Sequence, residues 1–105
     1  MATLENTSPI PERLRLVIAL TEVNSHHLRG ENRYAGAEIE LASALEREKR
    51  EGVTSDGTRH IDELRRRLSA SEEALRAIES ERARLEGALA SLEEATSTEK
   101  HKDRQ

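Results

Sequence analysis

The stretch from Ile61 to Leu92 constrains this chain more than any other. Ile61, Leu64, Leu68, Ser71, Leu75, Ile78, Arg82, Leu85, Leu89 and Leu92 follow one another in steps that alternate three and four without a slip. That is a heptad pattern, with Ile61, Leu68, Leu75, Arg82 and Leu89 at a and Leu64, Ser71, Ile78, Leu85 and Leu92 at d. A helix carrying this stripe cannot leave it in water, so the segment requires a partner helix.

The first half of the chain supplies one. Ser8-Pro9 reads as an N-cap followed by proline at the first helical position, and Pro11 still lies in the first turn, where a missing N–H costs little. The expected first helix covers 9–52. Its seam is Leu16, Leu20, Val23, His27, Gly30, Tyr34, Ala37, Leu41 and Ala44, in steps of four and three. A second apolar set, Leu14, Val17, Ile18, Leu28, Ala35, Ile39 and Ala42, falls on another side, leaving a ridge of Arg15, Glu22, Arg33, Glu40 and Arg47 for solvent. A helix with two apolar faces calls for more than one neighbour. Its weak point is Gly30–Gly36, since each glycine costs about 1 kcal/mol relative to alanine. The helix either breaks there or uses the glycines for close approach of a neighbour.

Gly52-Val53-Thr54-Ser55-Asp56-Gly57-Thr58 is the internal turn signal, with glycine as a helix stop and Ser, Asp and Thr as candidate caps. The expected organisation is a disordered segment 1–8, helix 9–52, turn 53–57, helix 58–95 and a disordered polar tail 96–105. Two helices of similar length joined by a short turn pack antiparallel by default. Folding about Asp56 sets Ala44 against Leu68, Ala37 against Leu75, Tyr34 against Ile78, Gly30 against Arg82, His27 against Leu85, Val23 against Leu89 and Leu20 against Leu92. Small residues then face large ones, as interdigitated layers require. The fold class is all-α: a long antiparallel helical hairpin of coiled-coil type. A lone hairpin buries little, so the second face of the first helix is expected to dimerise it into a four-helix bundle.

Composition narrows the function. The 105 residues are 36% charged and only 1% aromatic, Tyr34 being the sole member of that class, so a thick globular core is not expected. The net charge of −4 with interleaved signs argues against nucleic acid as a partner. No cysteine is present, which removes disulfides, thiolate metal sites and cysteine nucleophiles. The first ten residues lack the basic and apolar regions of a signal peptide, and Leu14–Leu20 is too short to span a bilayer. An intracellular location, cytoplasmic or nuclear, is the corresponding expectation.

Candidate sites are few. Arg82 and His27 interrupt the seams and are read as register-specifying residues. His27 would also loosen the seam on protonation in mild acid. His26, His27 and His60 lack the spacing of a metal site. Arg65-Arg66-Arg67 is flanked by Asp62, Glu63, Glu72 and Glu73 and reads as a solvated face. Glu72, Glu79, Glu86 and Glu93 line one flank of the second seam at e positions, where charge sets partner choice. No phosphate loop, nucleophile elbow or zinc-protease motif occurs. No catalytic residue, metal, cofactor or small-molecule substrate is expected.

These residues describe a non-enzymatic interaction or scaffold module that binds itself, as a homodimer, or another helical protein. The hairpin seam is Leu20, Val23, Tyr34, Leu41, Leu64, Leu68, Leu75, Ile78, Leu85, Leu89 and Leu92. The partner face is Leu14, Val17, Ile18, Leu28, Ile39 and Ala42. Two other classes set the alternatives: a nucleic-acid-associated regulator using Arg65–Arg67 and the Lys100–Arg104 tail, and a small helical enzyme built around Arg82, His27 and Tyr34.

Overall fold

The computed structural model describes residues 9–103, with side-chain surroundings for 11–97. The expected disordered segment 1–8, the Ser8 cap, and Arg104 at the end of the tail lie outside the described residues. Two helices are present, α1 (Pro9–Glu51) and α2 (Ser55–Asp103), and no strand occurs among the described residues. Together they make the antiparallel helical hairpin that the heptads imply.

Each end of the turn has a physical cause. Gly52 sits at φ +94°, a left-handed conformation that glycine adopts without a Cβ penalty, and its N–H donates to the Glu48 carbonyl at 2.9 Å. This closes α1 in the αL manner. Thr54 then caps α2. Its Oγ1 accepts the Gly57 N–H at 2.9 Å, while its carbonyl accepts the Thr58 N–H at 2.9 Å. The cap therefore falls four residues before Thr58, the expected start of the second helix. At the far end α2 runs on to Asp103 instead of stopping at Ala95. The segment is polar but holds no proline or glycine, and the Thr96 hydroxyl donates to the Leu92 carbonyl at 3.0 Å, continuing the helical trace.

The helices associate in two compact units. The turn unit is His26–Glu79; the end unit is built from the chain up to Ser25 and from Ser80 onward. In both, the side chains that lose most solvent belong to the seams: Ala37, Ile61 and Leu64 in the turn unit, Val23 and Leu85 in the end unit. Leu64, 1% exposed, is the most deeply enclosed. Leu75 and Ile78, by contrast, are only half-buried.

The alignment of the two helices corrects the expected one. A Cβ at Gly30 would meet Leu75 Cδ1 at 3.2 Å and Ile78 Cδ1 at 3.5 Å, not Arg82. His27 pairs with Glu79 in the turn unit and Arg13 with Glu93 in the end unit. Both pairs are equidistant along the chain from Val53, so the chain folds there and not about Asp56. In the turn unit the facing position of Gly30 moves by one heptad, from Arg82 to Leu75, and the same shift brings Ala44 to Ile61. Ala44 and Ile61 indeed line one cleft beside the turn. The early Thr54 cap is the cause, because it shortens the connection and draws α2 back. Small-against-large layering survives the shift, since a heptad slip replaces one a position by another. Helix α1 is unbroken through Gly30 and Gly36.

Candidate partner-binding surface

On α1, Leu20, His27, Tyr34 and Leu41 take heptad position a, and Leu16, Val23, Gly30, Ala37 and Ala44 take d. From Leu14 to Ala42 the outward positions b and f are then Leu14, Ile18, Thr21, Ser25, Leu28, Asn32, Ala35, Ile39 and Ala42; nearer the turn the same positions hold Glu46 and Lys49. None of the nine from Leu14 to Ala42 carries a charge, in a chain that is 36% charged. Leu14 and Ile18 of the end unit are 58% and 52% exposed, and Leu28 and Ile39 of the turn unit are 59% and 69% exposed. Val17, at e, is exposed at 38%, and Ala42 is exposed as well. Isolated apolar side chains on a surface are ordinary; a charge-free line of them at heptad spacing is not.

The equivalent positions of α2 are Asp62, Arg66, Ser69, Glu73, Arg76, Ser80, Ala83, Gly87, Ala90 and Glu94. Half of them are charged and none is a large apolar residue. Apolar outward character is thus confined to α1.

The polar seam and flank residues are engaged within the hairpin. His27, with 13% of its side chain exposed, has Nε2 at 3.1 Å from Glu79 Oε2 across the seam and Nδ1 at 3.8 Å from Glu31 Oε1 on its own helix. The ring thus bridges α2 and the next turn of its own helix. Arg13 donates from Nε and Nη2 to Glu93 Oε2 at 3.1 and 3.0 Å, and Arg67 donates to Glu40 Oε1 at 3.0 Å. Of the four e-position glutamates, Glu79 and Glu93 reach across to α1, while Glu72 lies 3.4 Å from Arg76 on its own helix. Part of that acidic strip therefore fixes the alignment of the chain's own two helices. Exposed pairs of this kind contribute under about 1 kcal/mol each and select geometry more than they stabilise.

Tyr34, half-buried in the turn unit, has its phenol held above its ordinary value by the Glu38 carboxylate, then by burial and by Glu72. In the end unit the Arg84 guanidinium, hydrogen-bonded to Glu81 at 2.6 and 3.0 Å, holds that carboxylate below its ordinary range. Arg82, the interruption of the second seam, is half-buried. Among the described residues no group of three or more His, Asp or Glu is placed to hold a metal ion, and no helix is long and apolar enough to cross a membrane. A cleft of about 460 Å³ lies beside the turn, open to solvent and bordered by Glu48, Arg47, Glu40, Arg67 and His60 above Ile61 and Leu64.

Arg65, Arg66 and Arg67 are all exposed, and Arg67 is paired with Glu40 at 3.0 Å. What residue-by-residue reading missed was the Thr54 cap and with it the alignment. The usable signal was Thr54 placed three residues before Gly57, in N-cap relation to a helix start at Ser55. No protein-family model, curated protein or solved structure matches this chain.

Proposed function

We propose that this chain is a non-enzymatic helical interaction module, acting as a homo-oligomer or as a subunit of a larger assembly, whose working surface is the outer face of α1. One observation carries this reading: Leu14, Ile18, Leu28 and Ile39 are more than half exposed along a charge-free heptad line, while the outward line of α2 is charged. Burial of such side chains against another helix contributes about 25 cal/mol per Å² of apolar area removed from water, and the hairpin seam alone is a thin core for a chain of this size.

The test is retention of a bound protein, itself or another, by the intact chain and by the variant carrying Leu14→Glu, Ile18→Glu, Leu28→Glu and Ile39→Glu. The module binds through α1 if the wild-type complex, recovered and identified, is lost in the variant while circular dichroism retains its helical signal. A partner held equally by both proteins would place the working surface elsewhere.

A further inference from the structure

The outer face of α1 carries not only apolar residues but a charge pattern on its two flanks, and that pattern is self-complementary in the alignment that sets Leu14 against Ile39. The flank beside position f holds Arg15, Glu22 and Arg29; the flank beside position b holds Glu31 and Glu38. When two helices pack antiparallel, like flanks face each other, so each candidate register is decided by which of these charges meet.

Resting on the interaction reading above, we propose that the occupant of this face is a second copy of the chain. The two α1 helices lie antiparallel, with Leu14 against the second copy's Ile39 and Ile18 against its Ala35. Here Glu22 of each copy meets Arg29 of the other, giving two ion pairs related by the twofold axis. Arg15 falls opposite Gly36, a position with no heavy atom within 4 Å of where its Cβ would stand, so a long side chain has room. Arg29 makes a 3.0 Å contact to His26 on its own helix, which leaves its other nitrogens free of that contact.

Neighbouring registers fail on charge. A slip of one heptad in one direction opposes Arg29 with Arg29 and Glu31 with Glu31. In the other direction it opposes Glu22 with Glu22 and Arg15 with Arg29. A second heptad in the first direction gains Leu28 against Ile39 but sets Glu31 against Glu38 twice. Like charges facing each other destabilise the pair, so the Glu22–Arg29 register stands alone among these in having attraction without opposition; a second heptad in the other direction pairs Arg15 with Glu22 but overlaps only the first half of α1 and sets Leu14 and Ile18 against Ser25 and Thr21. Positions b and f point roughly 150° away from the a/d seam at 100° per residue. The dimer therefore adds hairpins side by side, with the α1 pair central, instead of closing a square four-helix bundle.

Sedimentation equilibrium of the full chain tests this, with circular dichroism as the folding control. The wild type is expected to be a dimer at micromolar concentration, and the Ile18→Glu, Ile39→Glu double variant a helical monomer. Glu22→Arg and Arg29→Glu, each alone, should weaken the dimer roughly tenfold, since either turns two attractions into two repulsions. Mixing these two single variants in equal amounts should restore association, as should combining them in one chain. Residues 22 and 29 are seven apart on one helix and do not touch within a chain, so restoration can only arise between copies. A monomeric wild type overturns self-docking; the broader interaction reading then stands or falls separately, on loss of a different protein from the outer-face variant. A dimer indifferent to Ile18→Glu, Ile39→Glu assigns association to another surface. A dimer sensitive to that change but indifferent to the charge exchanges overturns the register.

Discussion

The two faces of α1 are built from the same helix and the same heptad, yet they meet different surroundings. The inner face, through Val23, Gly30 and Ala37, is covered by α2; the outer face, through Leu14, Ile18, Leu28 and Ile39, meets water in the single chain. Gly30 and Gly36 repeat the contrast in miniature. A methyl group at Gly30 would press on Leu75 at 3.2 Å, whereas one at Gly36 would meet nothing within 4 Å. Apolar periodicity therefore marks where a helix wants a neighbour without saying whether its own chain provides one. In this hairpin it provides one for the inner face alone.

The largest expected effect breaks the inner face. Leu64→Ala should destabilise the hairpin by about 2–5 kcal/mol, as for a fully enclosed leucine, measured by urea denaturation followed by circular dichroism. Leu75→Ala should cost less, because Leu75 is only half-buried. Ile39→Ala, on the outer face, should change the stability of the dilute hairpin by no more than about 0.5 kcal/mol. If Ile39→Ala matched Leu64→Ala under those conditions, the two faces would not differ as described.

Next come the glycines. Gly36→Ala should raise stability by about 1 kcal/mol through helix propensity alone. Gly30→Ala should gain less or lose, because Leu75 must yield to the added methyl. The difference in their denaturation midpoints isolates the cost of close approach at the seam, and equal gains would mean that α2 is not held tightly against Gly30.

The cap sharpens the alignment. Thr54→Ala should cost ~1 kcal/mol, and because the cap sets where α2 begins, the variant should also loosen the pairing of Arg13 with Glu93; amide exchange at Gly57 and Thr58 would report the cap directly.

The smallest expected effect concerns His27 and Glu79. A double-mutant cycle of His27→Ala and Glu79→Ala should give a coupling below about 1 kcal/mol. A coupling of zero would mean that the 3.1 Å contact adds nothing to the pairing of the helices.

Much of this architecture was legible in the sequence, for stated reasons. Heptad spacing is a property of helix geometry, so Ile61–Leu92 and Leu16–Ala44 announced their covered faces. The unpaired line through Leu14 and Ile39 was visible by the same logic. What heptads cannot supply is their own phase: Gly30 against Leu75 and Gly30 against Arg82 satisfy one pattern equally well. That choice belongs to Gly52 and Thr54, where a single hydroxyl decides the start of α2. The tail was misread because polar composition resembles disorder, although helix needs only the absence of breakers once propagation has begun. The meeting of His27 with Glu79 was not legible, because Glu79 comes from a helix whose alignment the heptads leave open.

Val53, 74% exposed between the Gly52 stop and the Thr54 cap, is the midpoint of the only covalent link between α1 and α2. That link works as a tether. It keeps the two seams at an effective concentration far above that of separate peptides, and it admits one heptad offset while the seams alone would tolerate several. Cutting the peptide bond there would remove no seam contact. It would turn an intramolecular fit into a bimolecular one, dependent on dilution and free to settle in any offset the side chains allow.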